Sequence, residues 1–158
     1  MNDYRNLESK FKNEIEGHIK KALPNLFNEF SKFRQSSEDE DGKLSFDLVF
    51  DMNFVISIRI RKNAYIKYND MTIRYRSKNG YKTEFDKIKE GLAQVYFYAY
   101  MSEDEKNLCK IRICNVEALR NLIDLKQYKI YENLDGTKLA TFKFSDIKDQ
   151  KGNIYQFN

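Results

Sequence analysis

Histidine, cysteine, proline and glycine are scarce in this sequence, and tryptophan is absent. The 158 residues include one His, two Cys, one Pro and six Gly. A zinc site needs clustered His and Cys, and the spacing of Cys109 and Cys114 matches no zinc pattern. A catalytic Ser-His-Asp or Cys-His group would have to use the single histidine, His18, and the sequence contains no nucleophile elbow motif to accompany it. It also contains no glycine-rich phosphate loop. Zinc enzymes, histidine-dependent hydrolases and P-loop enzymes are therefore not expected.

Long apolar runs are also missing. No stretch approaches the roughly 18 apolar residues of a membrane-spanning helix. The amino-terminal residues Met1-Asn2-Asp3-Tyr4-Arg5 do not have the character of a secretory signal. Cys109 and Cys114 lie five residues apart in a predicted strand, and this odd spacing should point them to opposite faces and prevent a disulfide. We therefore expect a cytoplasmic protein with no membrane partner.

The residues that are present are typical of a folded globular domain. The hydrophobic fraction is 41%, with 12 Phe and 11 Tyr, which favours a packed core over disorder. At this length we expect a single domain over residues 1–158.

The amino-terminal part changes from helical to strand periodicity. Apolar residues recur at three- and four-residue spacing over residues 4–33, which predicts an amphipathic helix. Pro24 should end this helix or divide it into a helix pair, because proline removes a backbone donor. From residue 43 the apolar residues alternate, which predicts strands at 43–50, 54–68 and 71–78.

Turn lengths suggest how these three strands pair. A three-residue loop places Phe50 opposite Phe54, and a two-residue turn at Asn69-Asp70 places Tyr68 opposite Met71. Both registers keep every apolar side chain on one face, as a buried face requires. The three strands are thus predicted to form an antiparallel meander.

The second half alternates between helix and strand signals. Thr83 and Asp86 have the spacing of a capping box, Gly91 is a helix-ending residue, and Asn115 can cap a further helix. The predicted elements are a helix from about 84 to 91, strands at 95–100 and 108–114, a helix at 116–123, and a hairpin of 128–134 with 138–144. The predicted fold class is α+β, with an N-terminal helix or helix pair, the meander, a helix, further strands and a C-terminal hairpin.

Positive charge is concentrated in the predicted meander. Residues 52–83 carry eight Lys or Arg against one acid, Asp70, whereas the net charge of the whole chain is +4. In the meander register six of these cations lie opposite the apolar face, namely Arg59, Arg61, Lys67, Arg74, Arg76 and Lys78. A solvated surface is one interpretation, but so little opposing acid favours a polyanionic or acidic partner. The predicted partner-binding residues are Arg59, Arg61, Tyr65, Lys67, Arg74, Arg76 and Lys78.

One enzyme class stays open, the metal-dependent nucleases of the restriction-endonuclease-like fold, whose order of elements matches the prediction. These enzymes bind Mg²⁺ through an acid near a strand start and an acid-x-Lys pair on the next strand. That pair is absent, and residues 54–68 contain no acid. The catalytic alternative would use Mg²⁺ with Asp47 or Asp51, Asp70 and Glu84. The interpretation we favour has no catalytic residue, metal or cofactor.

Four segments resemble those of small phage-encoded proteins with a nuclease-like core. They lie between residues 47 and 101 and read Ile58-Arg59-Ile60-Arg61-Lys62, Asp70-Met71-Thr72-Ile73-Arg74-Tyr75-Arg76, Lys82-Thr83-Glu84-Phe85-Asp86-Lys87-Ile88 and Tyr96-Phe97-Tyr98. Gln94 stands where such proteins often have an acid. The resemblance therefore implies a degenerate active site of the PD-(D/E)XK type. Small phage proteins of this size and composition include the anti-CRISPR inhibitors.

This resemblance implies a non-catalytic phage or mobile-element inhibitor that acts in the cytoplasm of a bacterial host. It would bind a host nuclease or nucleoprotein complex, for example Cas9, through the basic sheet face. That face would meet guide RNA, DNA phosphate or an acidic protein surface. The alternatives are the Mg²⁺-dependent nuclease and a plain nucleic-acid-binding protein.

Overall fold

The computed structural model describes residues 10–24, 34–35, 48–50, 54–76 and 81–158, with side chains for all of these ranges except 34–35 and 48–50. The predicted helix after Pro24 and residues 43–47 of the first predicted strand lie outside the described residues. The helices in these ranges are α1 (Lys12–Ala22), α2 (Glu84–Glu90), α3 (Val116–Asp124) and α4 (Phe144–Asp149), with a 3-10 helix at Asn63–Tyr68. The strands are β1 (Arg34–Gln35), β2 (Leu48–Phe50), β3 (Phe54–Arg61), β4 (Asp70–Arg76), β5 (Val95–Met101), β6 (Leu108–Asn115), β7 (Lys129–Glu132), β8 (Lys138–Lys143) and β9 (Asn153–Phe157). Among the helices in these ranges, none is both long and apolar enough to cross a membrane.

The described strands form two sheets, and the α+β fold class is confirmed. The large sheet has the order β1-β2-β3-β5-β6-β9, and the small sheet has the order β4-β8-β7. Neighbouring strands are antiparallel except β3 and β5, which run parallel. Between these two parallel strands the chain leaves the large sheet, adds β4 to the small sheet and forms α2.

The large sheet separates two hydrophobic clusters. On one face, Ile58 and Phe97 are buried against residues of α1 such as Ile19. On the other face, Tyr98 is buried with Phe142 of the small sheet and with residues of α2 and α3. The layers are therefore α1, the large sheet, and then the small sheet with α2 and α3. Every residue of β5 is buried, because this strand has a layer on each side.

Local sequence signals act as predicted at the helix ends. Thr83 and Asp86 form a capping box at α2, in which the Asp86 carboxylate accepts a hydrogen bond from the Thr83 backbone N–H at 2.9 Å. Gly91 ends the helix with a φ of 70°, a left-handed conformation that glycine adopts without strain. The Asn115 side chain accepts a hydrogen bond from the Glu117 backbone N–H at 2.9 Å and caps α3. The predicted β7–β8 hairpin is also confirmed.

The predicted meander is wrong at its third strand. β2 and β3 pair with Phe50 opposite Phe54, as predicted. β4, however, lies in the small sheet with Met71 opposite Phe142 of β8, and β3 pairs instead with β5. A strand whose apolar residues alternate with polar ones needs one buried face, and both the large sheet and the small sheet provide such a face. The alternation therefore does not identify the partner strand.

The predicted strand at 54–68 is too long. β3 ends at Arg61, and the 3-10 helix follows, so the turn predicted at Asn69-Asp70 does not form. Asn63 Nδ2 donates to the carbonyl oxygen of Met101 at the end of β5 at 3.0 Å, which ties the helix start to the large sheet. Asn69 ends the helix with a φ of 51°. These contacts turn the chain out of the large sheet before β4 begins.

A bulge in β6 overturns the prediction for the two cysteines. Lys110 has a φ of 48°, and the pairing with β5 shifts so that Cys109 lies opposite Tyr100 and Cys114 opposite Tyr96. The extra residue places both cysteines on the same face of the sheet instead of on opposite faces. Both are free thiols. Their partners Tyr96 and Tyr100 are four residue steps apart on β5, which separates the two cysteines by about 13 Å, too far for a disulfide.

The carboxyl-terminal elements α4 and β9 were not predicted. Gly152 lets β9 approach α3, because a Cβ atom at this position would lie 2.2 Å from the Cβ of Ala118. Tyr155 of β9 extends to α1, where its hydroxyl lies 3.0 Å from Nδ1 of the buried His18. His18 therefore joins two elements of the fold.

Candidate functional site

The predicted partner-binding residues are divided between two environments. Arg59 and Arg61 alternate with the buried Ile58 and Ile60, and they lie opposite Tyr98 and Tyr100 of β5. This face of the large sheet is covered by the small sheet, so the prediction that both arginines point to solvent is wrong. The error arises because the small sheet with α2 and α3 covers the second face of β3, opposite its apolar residues Ile58 and Ile60.

The hydroxyls of β5 satisfy the free edge of β4. Tyr100 Oη donates to the carbonyl oxygen of Asp70 at 2.7 Å, and the Thr72 backbone N–H donates to Tyr98 Oη at 3.1 Å. The Arg74 backbone N–H donates to a carboxylate oxygen of Glu84 at 2.9 Å. No described strand pairs with β4 on this side, and these three contacts satisfy its backbone groups instead.

Glu84 is the centre of this junction between the sheets. Its carboxylate forms an ion pair with Arg59 and accepts a hydrogen bond from Tyr96 Oη at 2.9 Å. The side chains of Arg59 and Glu84 are only 12% and 22% exposed. Burial alone would raise the pKa of Glu84, but the Arg59 charge and the hydrogen bonds hold it below the usual value. Glu84 thus joins α2, β3, β4 and β5. We call Glu84, Arg59 and Tyr96 the Glu84 junction.

Asp70 has a different environment at the start of β4. It is half-buried and accepts a hydrogen bond from Thr72 Oγ1 at 3.3 Å. Burial raises its pKa, and the Thr72 hydrogen bond and the charges of Arg61 and Lys110 partly oppose that shift. Among the residues that the structure describes, no three His, Cys, Asp or Glu side chains are grouped so as to hold a metal ion. Asp47 and Asp51 lie outside the described residues, so the Mg²⁺-dependent nuclease stays a prediction.

Arg61 lies beside Asp70, where the parallel strands β3 and β5 end. Its guanidinium carbon stands 4.4 Å from the centre of the Tyr65 ring, a cation–π contact. Its Nη1 atom is buried and has no hydrogen-bond partner within the described residues. Tyr65 remains 44% exposed on the 3-10 helix. Arg61 and Tyr65 therefore support this end of the large sheet.

The remaining predicted cations that the structure describes are exposed. Lys67 lies on the 3-10 helix, and Arg74 and Arg76 lie on β4. Lys78 lies outside the described residues. Of these exposed cations, Arg74 and Arg76 belong to the small sheet, and none belongs to the large sheet.

The small sheet has an exposed face that sequence analysis missed. Its inner face contributes Met71, Ile73, Ala140 and Phe142 to the core. Cross-strand pairing brings Lys143 opposite Asp70, Lys129 opposite Thr141, and Tyr131 opposite Leu139, which lies opposite Arg74. We call Arg74, Lys129, Tyr131, Leu139, Thr141 and Lys143 the outer face. Among the described residues of these cross-strand pairs, Asp70 is the one acid. The three cations are Arg74, Lys129 and Lys143.

The strand alternation of the hairpin contained the signal for this face. Lys129 and Tyr131 share one parity on β7, and Leu139, Thr141 and Lys143 share one on β8. The alternation of β4 fits the large sheet equally well, so the sequence alone does not bring these positions together with Arg74.

An open cleft of about 620 Å³ lies over part of the outer face. Tyr68 and Tyr131 border it and are 59% and 53% exposed. Lys126, Lys129 and Lys143 contribute cations to its lining, whereas Asp146 and Asp149 of α4 contribute acids.

Comparison of the chain with protein families, with curated proteins and with solved structures finds no match.

Proposed function

We propose that this protein is a non-catalytic inhibitor that docks on a host nucleoprotein nuclease through the outer face. The observation that carries the proposal is the set of three exposed cations, Arg74, Lys129 and Lys143, which share one face with a single half-buried acid. A strand rises about 3.3 Å per residue, so the rows from Asp70 to Arg74 span about 13 Å. This length is enough to contact several phosphates or one acidic strip.

The environment of Glu84 supports a binding function over a catalytic one. Its carboxylate is already engaged by Arg59, Tyr96 and the backbone of Arg74. A metal ion at Glu84 would have to compete with the Arg59 guanidinium at close range. The polyanion-binding role does not need Glu84, because Glu84 is not one of the outer-face residues. The anti-CRISPR identity and Cas9 as the target stay predictions from the sequence resemblance.

A double charge reversal on the outer face tests the proposal. We expect Arg74→Glu with Lys129→Glu to weaken binding to a fluorescein-labelled guide RNA, and to Cas9 loaded with that RNA, by at least tenfold. Attraction is replaced by repulsion at two contacts. Fluorescence anisotropy gives the affinity, and the dependence on salt should become shallower by a slope of roughly two for the RNA. Thermal melting should change little, since both side chains are exposed.

A matched control makes the same charge change elsewhere. Lys21→Glu with Lys106→Glu alters two exposed lysines on α1 and on the β5–β6 turn. This variant should bind nearly as well as the parent. Equal weakening in both variants would mean that net charge determines binding and would contradict a specific face. Failure of the parent to bind either probe would contradict the proposed class of partner.

A further inference from the structure

We propose that the cleft over the outer face holds a single-stranded segment of nucleic acid, with a base stacked on Tyr131 and a second base within reach of Tyr68. This inference rests on the proposed function and specifies which part of a nucleoprotein is contacted. The cleft volume of about 620 Å³ lies in the range of pockets that take small ligands. A nucleotide unit is comparable in size to the ligands of such pockets.

The two tyrosines provide the first argument. Tyr131 lies on β7 opposite Leu139 of the central strand, so its backbone position is fixed by the sheet. Tyr68 closes the 3-10 helix and has Lys67 Nζ 5.2 Å from its ring centre. Each of these tyrosines is more than half exposed. Exposed aromatic rings beside cations are the means by which proteins bind single strands, because every base has a face that can stack.

The distribution of charge in the cleft provides the second argument. Lys129 and Lys143 lie on the sheet, and Lys126 follows α3, whereas Asp146 and Asp149 lie on α4. The three cations and the acids Asp70, Asp146 and Asp149 balance, so the cleft as a whole has no excess charge. A uniformly acidic protein strip would meet repulsion from α4. A single strand separates its phosphates from its bases and sugars, so that phosphates can face the lysines while base amino groups and hydroxyls face the carboxylates.

Duplex nucleic acid does not meet these requirements. Its bases are already stacked on one another and cannot offer a free face to Tyr131 or Tyr68. Its phosphates lie on both sides of the helix, so one strand would approach the carboxylates of α4. The cleft is therefore expected to prefer single strands over duplex.

The test compares Tyr131→Leu with Tyr131→Phe, using the full-length chain and a labelled 12-nucleotide oligouridine. The leucine variant removes the ring, and we expect its affinity to fall about tenfold. The phenylalanine variant keeps the ring and should stay within about twofold of the parent. A duplex of oligouridine with oligoadenosine, and a labelled oligoglutamate peptide, should each bind the parent at least tenfold more weakly than oligouridine. Circular dichroism and thermal melting verify that both variants are folded.

Three results would overturn the inference. If the leucine and phenylalanine variants bind oligouridine equally while the Arg74→Glu with Lys129→Glu variant binds weakly, the face attracts phosphate without stacking, and the proposed function survives alone. If oligoglutamate or the duplex binds as tightly as oligouridine, the contacted element is an acidic protein surface or a duplex. If neither the tyrosine nor the charge variants alter binding, the outer face is not used, and the proposed function fails as well.

Discussion

The Glu84→Ala variant is expected to lose about 3 kcal/mol of unfolding free energy, the lower end for breaking a buried ion pair, since Glu84 is still 22% exposed. The change leaves the Arg59 guanidinium without its carboxylate and removes the acceptors of Tyr96 Oη and the Arg74 backbone N–H. Urea denaturation of the parent and the variant measures the difference.

Two further variants separate charge from hydrogen bonding at the Glu84 junction. Glu84→Gln keeps an acceptor oxygen and should lose less stability than Glu84→Ala. Arg59→Met combined with Glu84→Leu removes both charges and should recover part of the loss, because no unpaired charge stays buried. If Glu84→Ala is as stable as the parent, the Glu84 junction does not hold the two sheets together.

The same variants have a defined dependence on pH. The folded state holds the pKa of Glu84 below its usual value, so the ionised carboxylate stabilises the fold at neutral pH. That contribution is fully present above the pKa of the unfolded chain and is lost as the pH falls through the folded pKa. The stability difference between the parent and Glu84→Gln should therefore be constant near neutral pH and shrink in the acid range. A difference that grows on acidification would contradict the assigned shift.

The Ile58→Asp variant is expected to lose more than about 4 kcal/mol of unfolding free energy, a large part of the roughly 5–15 kcal/mol that stabilises a typical domain. Ile58 is 6% exposed and lies opposite Phe97 in the cluster beneath α1. A carboxylate there has to be buried without a partner. Circular dichroism and urea denaturation measure the effect.

Ile130→Asp is the matched control for this change. Ile130 is 46% exposed on β7, at the edge of the small sheet, and the same substitution there should cost only about 1 kcal/mol. If the two substitutions have equal effects, Ile58 does not face the core.

Periodicity and capping residues predicted much of the fold. The capping box of Thr83 and Asp86, the φ of Gly91 and the pairing of Phe50 with Phe54 all follow from nearest-neighbour chemistry, and the structure contains them. The pairing of β4 with β8 did not follow, because alternation determines which face is buried and not which strand lies alongside. The bulge at Lys110 was also invisible, since it shifts the alternation without a glycine to mark it.

The placement of the arginines failed for a related reason. Arg59 and Arg61 were assigned to solvent because they lie opposite the apolar residues of β3. The run from Tyr96 to Tyr100 is apolar or aromatic at every position, which is typical of a strand covered on both faces. Since β3 lies beside β5, its second face is covered too. In this covered layer the tyrosine hydroxyls of β5 form hydrogen bonds with Glu84 and with the backbone of β4.

The outer face could have been predicted only with the correct strand partner. Arg74 was proposed from sequence, but Lys129, Tyr131 and Lys143 come from a hairpin more than fifty residues later. The hairpin on its own has a net charge of only +1, with three lysines against Glu132 and Asp135, and Glu132 pairs with Lys138 at 3.3 Å. The basic character of the outer face becomes visible only when β4 is placed beside β8.

The measurement that tests our central claim most directly follows binding and cleavage in one sample. Labelled single-stranded RNA and DNA are incubated with the protein and Mg²⁺ or Mn²⁺, and each sample is divided between a native and a denaturing gel. We predict a slower-migrating complex on the native gel and full-length strand on the denaturing gel, because the outer face binds while Glu84 is held by Arg59. Metal-dependent cleavage that disappears in a folded Glu84→Gln variant would contradict this, and would identify the Glu84 junction as an active site.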